Sequence, residues 1–257
     1  MPLLPRLQLF EFLDQSWLPE LLRRGEVDYL RVVLDRVRPY DGVARLLSEL
    51  LRSSGTDQVV DLCSGSGGPW RTLLPTLQAV HGRAEVVLTD LHPTPGLELP
   101  AGATYRDTPV DATRIPEELT GVRTLFEALH HFPPEQARAL LADAATRGVP
   151  FAAFELTQRS LPYLLIQFLL IVPLVWGFTL LIRPVRWWRL VLTYLVPILP
   201  LLILWDGVVS SLRTYAPGDL ERLTQGLDAN GYSWTSGVHR AQGMIITYLI
   251  GQPGRPR

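Results

Sequence analysis

The stretch VVDLCSGSGGPW, Val59 to Trp70, constrains the fold more than any other part of the chain. A short apolar run ends in an acid, Asp61, and Gly65, Gly67 and Gly68 follow among small residues. Pro69 then stands where the first turn of a helix loses little by lacking an N–H. The order reads as a buried strand, a tight turn and a helix, with small residues letting a ligand approach the backbone closely. N–H groups at the start of that helix favour an anionic or electron-rich ligand group. Several cofactor classes and purely structural turns share such a pattern, so its company along the chain decides between them.

That company alternates. A strand at Gln58 to Leu62 is followed by a helix from Trp70 to Val80, with Leu73, Leu74, Leu77 and Val80 on one face. Ala84 to Thr89 is a second apolar run and ends in Asp90, 22 residues beyond Gly68, close to the spacing of a ribose-binding acid. Tyr105 to Thr113 gives a short third strand leading to Asp111. Val122 to Leu129 gives a fourth, running into His130-His131-Phe132-Pro133-Pro134. A helix over Pro134 to Thr146 carries Glu135 in its first turn, where negative charge suits the dipole. Phe151 to Leu156 is a fifth strand holding Glu155. After an Asn230-Gly231 turn, Tyr232 to Arg240 and Met244 to Ile250 read as a closing antiparallel hairpin. Strands alternating with helices predict an α/β, Rossmann-like, mostly parallel sheet with helices on both faces and an antiparallel last strand.

Residues 7 to 53 read as helices, with a turn near Ser16 to Pro19 and a break at Pro39, and form an N-terminal helical cap or a lid over a substrate site. The expected organisation is thus a cap over 1–53, a Rossmann-like core over 54–160, an inserted hydrophobic hairpin over 161–212, the end of the core over 213–251 and a disordered tail over 252–257. With 47% apolar residues the core is not limiting, and a net charge of −1 gives no electrostatic case for a nucleic-acid partner. The single cysteine, Cys63, excludes an intramolecular disulfide and a cysteine-based zinc site. No His/Asp/Glu spacing suggests a metal site, and the opening MPLLPRLQLF has one Arg and too short an apolar run for a signal peptide.

The insertion is the least ordinary segment. Leu161 to Ile182 carries no charge, and a helix of that length spans about 33 Å, enough for a hydrocarbon core. RPVRWWR follows, then an uncharged run from Leu190 to Trp205 that Asp206 breaks. A spanning hairpin would put Arg183, Arg186 and Arg189 opposite the enzyme domain, against the positive-inside tendency if that domain is cytosolic. A monotopic hairpin dipping into one leaflet keeps arginine and tryptophan at the interface, and kinks at Pro173, Pro197 and Pro200 suit a re-entrant path. Burial by homodimerisation through the hairpin, or against the N-terminal helices, is the third reading. Asp206 is expected to pair with Arg213 or Arg159, or else to serve a site.

The sequence VVDLCSGSGG, LTD at the second strand, DAT at Asp111 and LFEALHHFPPEQARALL together resemble the class I SAM-dependent methyltransferases of the small-molecule type, over roughly residues 40–156 and 213–251. The resemblance implies S-adenosyl-L-methionine (SAM) as cofactor. Asp61 would orient the turn or meet the amino-acid end of SAM, and Cys63, Gly65 and Gly67 would line it. Asp90, with Leu91 beside it, would hold the ribose hydroxyls, because a carboxylate accepts from both at once. Asp111 and Ala112 would meet the adenine, and Phe126 would face the sulfonium and the substrate. Cys63 departs from the family, which has a glycine two residues after the acid. His130, His131 and Glu127, at the end of the fourth strand, are the catalytic candidates, imidazole being able to take a proton near neutral pH. Glu155 is a runner-up base. The expectation is methyl transfer to a lipophilic small molecule on the cytoplasmic face of a membrane. The alternative is a non-catalytic, membrane-anchored methyltransferase-like scaffold, for which Cys63 is the best support and the retained Asp61, Asp90 and Asp111 the counter-argument.

Overall fold

The computed structural model describes residues 4–94, 96–228, 231–241 and 243–254. Asn230 of the expected turn, residues 1–3 of the opening and residues 255–257 of the expected tail lie outside the described residues. In chain order, α1 (Glu20–Val37) and a 3-10 turn (Asp41–Val43) precede α2 (Ala44–Ser54). Then come β1 (Gln58–Leu62), α3 (Trp70–His81), β2 (Glu85–Leu88), β3 (Ala103–Tyr105) and β4 (Val122–Phe126). A 3-10 turn (Leu129–His131), α4 (Pro134–Arg147) and β5 (Phe151–Glu155) follow. The insertion holds α5 (Leu161–Thr179), α6 (Trp187–Leu190, continued by a π-helical turn over Val191–Leu195) and α7 (Ile198–Arg213). The chain closes with α8 (Pro217–Thr224), β6 (Tyr232–Ala241) and β7 (Met244–Pro253).

These elements form two compact units, each drawn from two stretches of chain: Arg38–Leu156 with Tyr215–Arg257, and Met1–Val37 with Thr157–Thr214. The first is a sheet unit. Its seven strands run in the order β3-β2-β1-β4-β5-β7-β6, parallel except for β7 and β6. The central strands β1, β4 and β5 are buried along nearly their whole length, as a sheet covered on both faces requires. Their side chains meet α4 and α8 in one core that includes Val60, Leu125, Leu141, Phe151 and Leu220. Gly55 (φ +65°) ends α2 and Gly148 (φ +62°) ends α4 in the left-handed conformation that closes a helix. Gly121, entering β4 at φ +128°, passes so near β1 that a Cβ there would stand 2.5 Å from the Gln58 carbonyl oxygen.

The second is a hairpin unit built on α1, α5 and α7. Leu18, Tyr29, Val175, Ile182, Leu202 and Ile203 make its core. Within the hairpin Gln167 reaches both the Gly207 carbonyl (3.1 Å) and the Ser211 hydroxyl (2.9 Å). α5 is long and apolar enough to cross a membrane, yet only 6% of its most apolar window is buried. The second apolar run is bent by 72° between Leu195 and Ile198, where Pro197 interrupts it.

Several expectations need correction. Residues 7–15 are not helical: they form local turns, with the Asp206 carboxylate accepting from the N–H of Phe12 (2.7 Å) and of Leu13 (3.0 Å), while the turn expected near Ser16 to Pro19 is present. Asp206, which ends the uncharged run, lies inside α7, and Arg213 pairs with Glu11 (3.0 Å) and Asp14 (2.8 Å). The third strand is Ala103–Tyr105 and ends where it was expected to begin, because only Ala103 to Tyr105 align with Val86 to Leu88 of β2. Gln252 and Pro253, assigned to the tail, belong to β7, which pairs with β6 as far as Pro253 against Tyr232.

Candidate active site

The strand order reverses between β1 and β4, and a crevice at the carboxyl ends of the strands flanking such a reversal is where open α/β sheets bind ligands. The residues that leave these two strands are both held in the left-handed region without being glycine: Cys63 after β1 (φ +58°) and Glu127 after β4 (φ +49°). Such backbone is costly for an L-residue and persists only where the surroundings over-determine it.

At β1 those surroundings start with Asp61. Its side chain is buried, and its two carboxylate oxygens accept from the Ser64 hydroxyl (2.6 Å) and from the Thr124 hydroxyl of β4 (2.6 Å), the residue in register beside it. Burial pushes its pKa up to about 7, the two hydroxyls pulling the other way. Asp61 therefore braces the turn from beneath. Ser64 N–H donates to the Thr89 carbonyl (2.9 Å), so the turn is tied to the end of β2 as well.

Asp90 fastens the same turn from the side. One oxygen accepts from Gly65 N–H and the other from His92 N–H, both at 2.8 Å. Tyr105, ending β3, donates its phenol to the Gly65 carbonyl (2.9 Å). Gly65 is thus gripped through both backbone groups, while a Cβ there would meet nothing within 4 Å. Leu91 beside it is exposed. Asp111 is exposed too, with one oxygen accepting from the Thr113 N–H (2.8 Å) and hydroxyl (2.7 Å), which holds its pKa below the usual range. Ala112 is buried in the core under this edge. Cys63 is half-buried, and burial together with the Asp90, Asp61 and Asp111 carboxylates pushes its thiol pKa up. That shift favours the neutral thiol over the thiolate.

At β4 an aromatic cluster forms the other wall. Phe126 stacks on Phe154 (5.1 Å between ring centres) and receives the edges of Tyr40 (5.0 Å) and Trp70 (5.6 Å). Glu127 accepts from the Tyr40 hydroxyl (2.5 Å) and from Leu156 N–H. His130 Nδ1 lies 2.6 Å from a Glu155 oxygen, both side chains buried, and the half-buried His131 stacks on His130 at 4.4 Å. Burial raises Glu155 to about 7, against His131 and the backbone N–H groups of 128–130. Burial and the nearby Glu155 raise Glu127 to about 6. Two carboxyls poised near neutrality around an imidazole can accept and pass a proton. Glu127, His130 and Glu155 also bring one ligand atom each within 4.8 Å of one another. Their oxygens, however, already accept from Tyr40, Leu156 and His130, so the cluster is built as a hydrogen-bonded network.

Chain comparison agrees with this architecture. Among solved structures, the plantazolicin methyltransferase BpumL in complex with SAH superposes with a TM-score of 0.53 at 12% identity, covering 94% of each chain. Human N-acetylserotonin methyltransferase in complex with SAM superposes with a TM-score of 0.52 at 14% identity, covering 95% of this chain and 62% of its own. The fold is that of a class I SAM-dependent methyltransferase. No protein-family profile and no curated protein sequence matches the chain, so the likeness is one of architecture.

On that methyltransferase fold the structure brings Asp61, Cys63, Gly65, Gly67, Asp90, Leu91 and Asp111 to the carboxyl edge around β1 and β2, and Phe126, Glu127, His130 and His131 to the edge at β4. Open space over Gly65, the part-exposed Asp90 carboxylate and the exposed Leu91 and Asp111 suit a ligand with a diol and a flat heteroaromatic ring. Phe126 is packed among aromatic rings, and Asp61 is spent on hydroxyls. Sequence reasoning missed Ser64, Thr124, Tyr105 and Tyr40. Ser64 stood within the motif. Tyr40 lies 87 residues from its partner, and no local pattern marks such a pairing.

Proposed function

We propose that the chain is a SAM-dependent methyltransferase acting on a lipophilic small molecule at a membrane surface, on the cytoplasmic side where SAM is made. The observation that carries the reading is the Gly65 cradle: a backbone gripped by Asp90 and Tyr105, open above, at the switch point of a methyltransferase sheet. SAM, when bound, supplies an electrophilic methyl group on a sulfonium. This chain's part is to bind, orient and manage a proton. Gly65 and Gly67 offer close backbone approach, Asp90 retains lone pairs for hydroxyl donors, and Leu91 gives an apolar edge to a ring. Positioning supplies much of the rate of an in-line displacement. For a hydroxyl acceptor, the His130–Glu155 pair is the proton acceptor, with Glu127 and His131 beside it.

Support for the membrane part comes from the hairpin unit. Leu165, Phe168, Leu169, Trp176 and Trp187 are large, apolar and exposed, far beyond what a monomer leaves to water. The bend at Pro197 and the Arg183–Arg189 turn between the two apolar runs favour a monotopic path over two straight spans.

Calorimetric titration of SAM and SAH into detergent-purified protein tests the site. Micromolar binding that is lost in Asp90→Ala is the expected result. Absence of binding to folded wild-type protein refutes the enzyme reading and leaves the membrane-anchored binding protein.

A further inference from the structure

The hairpin unit contains a cavity of about 530 Å³ that no part of the methyl-transfer reading uses. One wall is the stripe Ile198, Leu201, Leu202 and Trp205 of α7, spaced to share one helix face. The facing wall comes from residues 10–22, chiefly Phe10, Phe12, Trp17, Leu18 and Leu22. Leu18 and Leu202 are buried, whereas Trp17 and Leu201 are about 60% exposed (63% and 60%) at the mouth.

The walls are fixed before any ligand arrives. Trp205 Nε1 donates to the Phe10 carbonyl (3.0 Å), and Phe10, Phe12 and Trp205 pack with centroid separations of 5.3 to 6.3 Å. Asp206 takes the N–H groups of Phe12 and Leu13, and Arg23 donates to the carbonyls of Leu13 and Gln15, both at 2.6 Å. A preformed pocket loses little ordering entropy on binding.

The same hydrogen bonds decide what can enter. The lining offers no polar side chain besides two indoles, one of them spent on Phe10, and much of the backbone of the facing wall is already paired. A peptide segment, whether from a partner or a second copy, would bury N–H and C=O groups with nothing to receive them. A hydrocarbon chain carries no such groups. Charge indicates which lipid supplies it: ten arginines and seven acidic residues give the hairpin unit +3, while the sheet unit carries −4. Next to the mouth residues Ile198, Leu201 and Trp205 of α7, the exposed Leu195 and Val196 lie just before the bend at Pro197.

We propose that this aromatic-walled cavity holds one acyl chain of an anionic membrane lipid, drawn from the bilayer on which the hairpin unit lies. The inference rests on the membrane reading of the preceding section and is independent of methyl transfer.

The test uses full-length protein mixed with vesicles of phosphatidylcholine and phosphatidylglycerol, the latter bearing a photoactivatable diazirine near the end of one acyl chain and no methyl acceptor being present. Irradiation and peptide mapping should place crosslinks within residues 10–22 and 198–205 as well as on Leu161–Thr179. Leu201→Trp, which fills the mouth from an exposed position, should lower the cavity crosslinks about tenfold and leave those on α5 unchanged. Crosslinks confined to α5 overturn the cavity proposal and leave membrane docking intact. Equal labelling from a diazirine phosphatidylcholine overturns the preference for an anionic lipid. Failure of the protein to float with vesicles, with no crosslinks at all, overturns both readings.

Discussion

The buried Asp61 carboxyl makes stability depend on pH in an unusual direction. The unfolded chain releases this proton near the ordinary value of 3.8, while the folded chain keeps it to about 7. Between those values the folded state binds more protons than the unfolded one, so stability is fully present at low pH and falls as pH rises through the window. Each unit of separation is worth about 1.4 kcal/mol, so between pH 5 and pH 8 this one group removes roughly 3 kcal/mol. Glu155, raised to about 7, and Glu127, raised to about 6, act with the same sign. Asp61→Asn isolates the first contribution: the amide is isosteric and neutral, and the Thr124 hydroxyl can turn to accept from it. Urea unfolding of wild type and variant at pH 5, 6, 7 and 8 is the assay. Wild type should lose stability steeply, and the Asn variant should lose about 3 kcal/mol less over the same range. Equal losses in the two proteins would refute the assignment of a proton to the buried Asp61.

Three further outcomes follow from the geometry. Tyr40→Phe removes a hydroxyl donor from buried Glu127 and should cost about 1–3 kcal/mol in urea unfolding, while moving the Glu127 pKa further up in carboxyl ¹³C NMR titration. Gly121→Ala, forcing a Cβ against the Gln58 carbonyl at a positive φ, should destabilise the sheet unit by more than about 2 kcal/mol, read as a lowered urea midpoint with unchanged m-value. Leu169→Glu, on the outward face of α5, should abolish vesicle flotation while leaving circular dichroism and SAM binding as in wild type.

Much of the sheet unit was legible in the sequence because its signals are local. β1 matches its expected bounds, Gln58–Leu62, since an apolar run closed by Asp61 and glycines has few alternatives. The Gly65–Gly68 turn and the acid at Asp90 fall just past the strand ends for the same reason, whereas Asp111 lies six residues beyond β3. The misread parts depend on distant partners. Residues 7–13 show helix-like apolar spacing, but the N–H groups of Phe12 and Leu13 are taken by Asp206, nearly 200 positions away. The third strand slid because its limits are set by register with β2 and not by its own composition. Asp61 was read as orienting the turn or meeting a ligand, and the parallel register with Thr124 favours the first, a brace.

Because each unit is assembled from two separated stretches, the order of synthesis sets a problem for the nascent chain. Residues 4–37 leave the ribosome some 120 positions before α5 begins to supply their core, a wait of about 6–24 s at ordinary elongation rates. Through that interval Phe10, Phe12, Trp17 and Leu18 have no α7 to cover them. The sheet faces a matching delay: β5 keeps an open edge while the whole apolar hairpin is made, and only β7, translated after the hairpin, closes it. The chain is therefore most exposed to aggregation when its stickiest segment emerges, and a nearby bilayer or a holdase chaperone at that moment would decide the yield of folded protein.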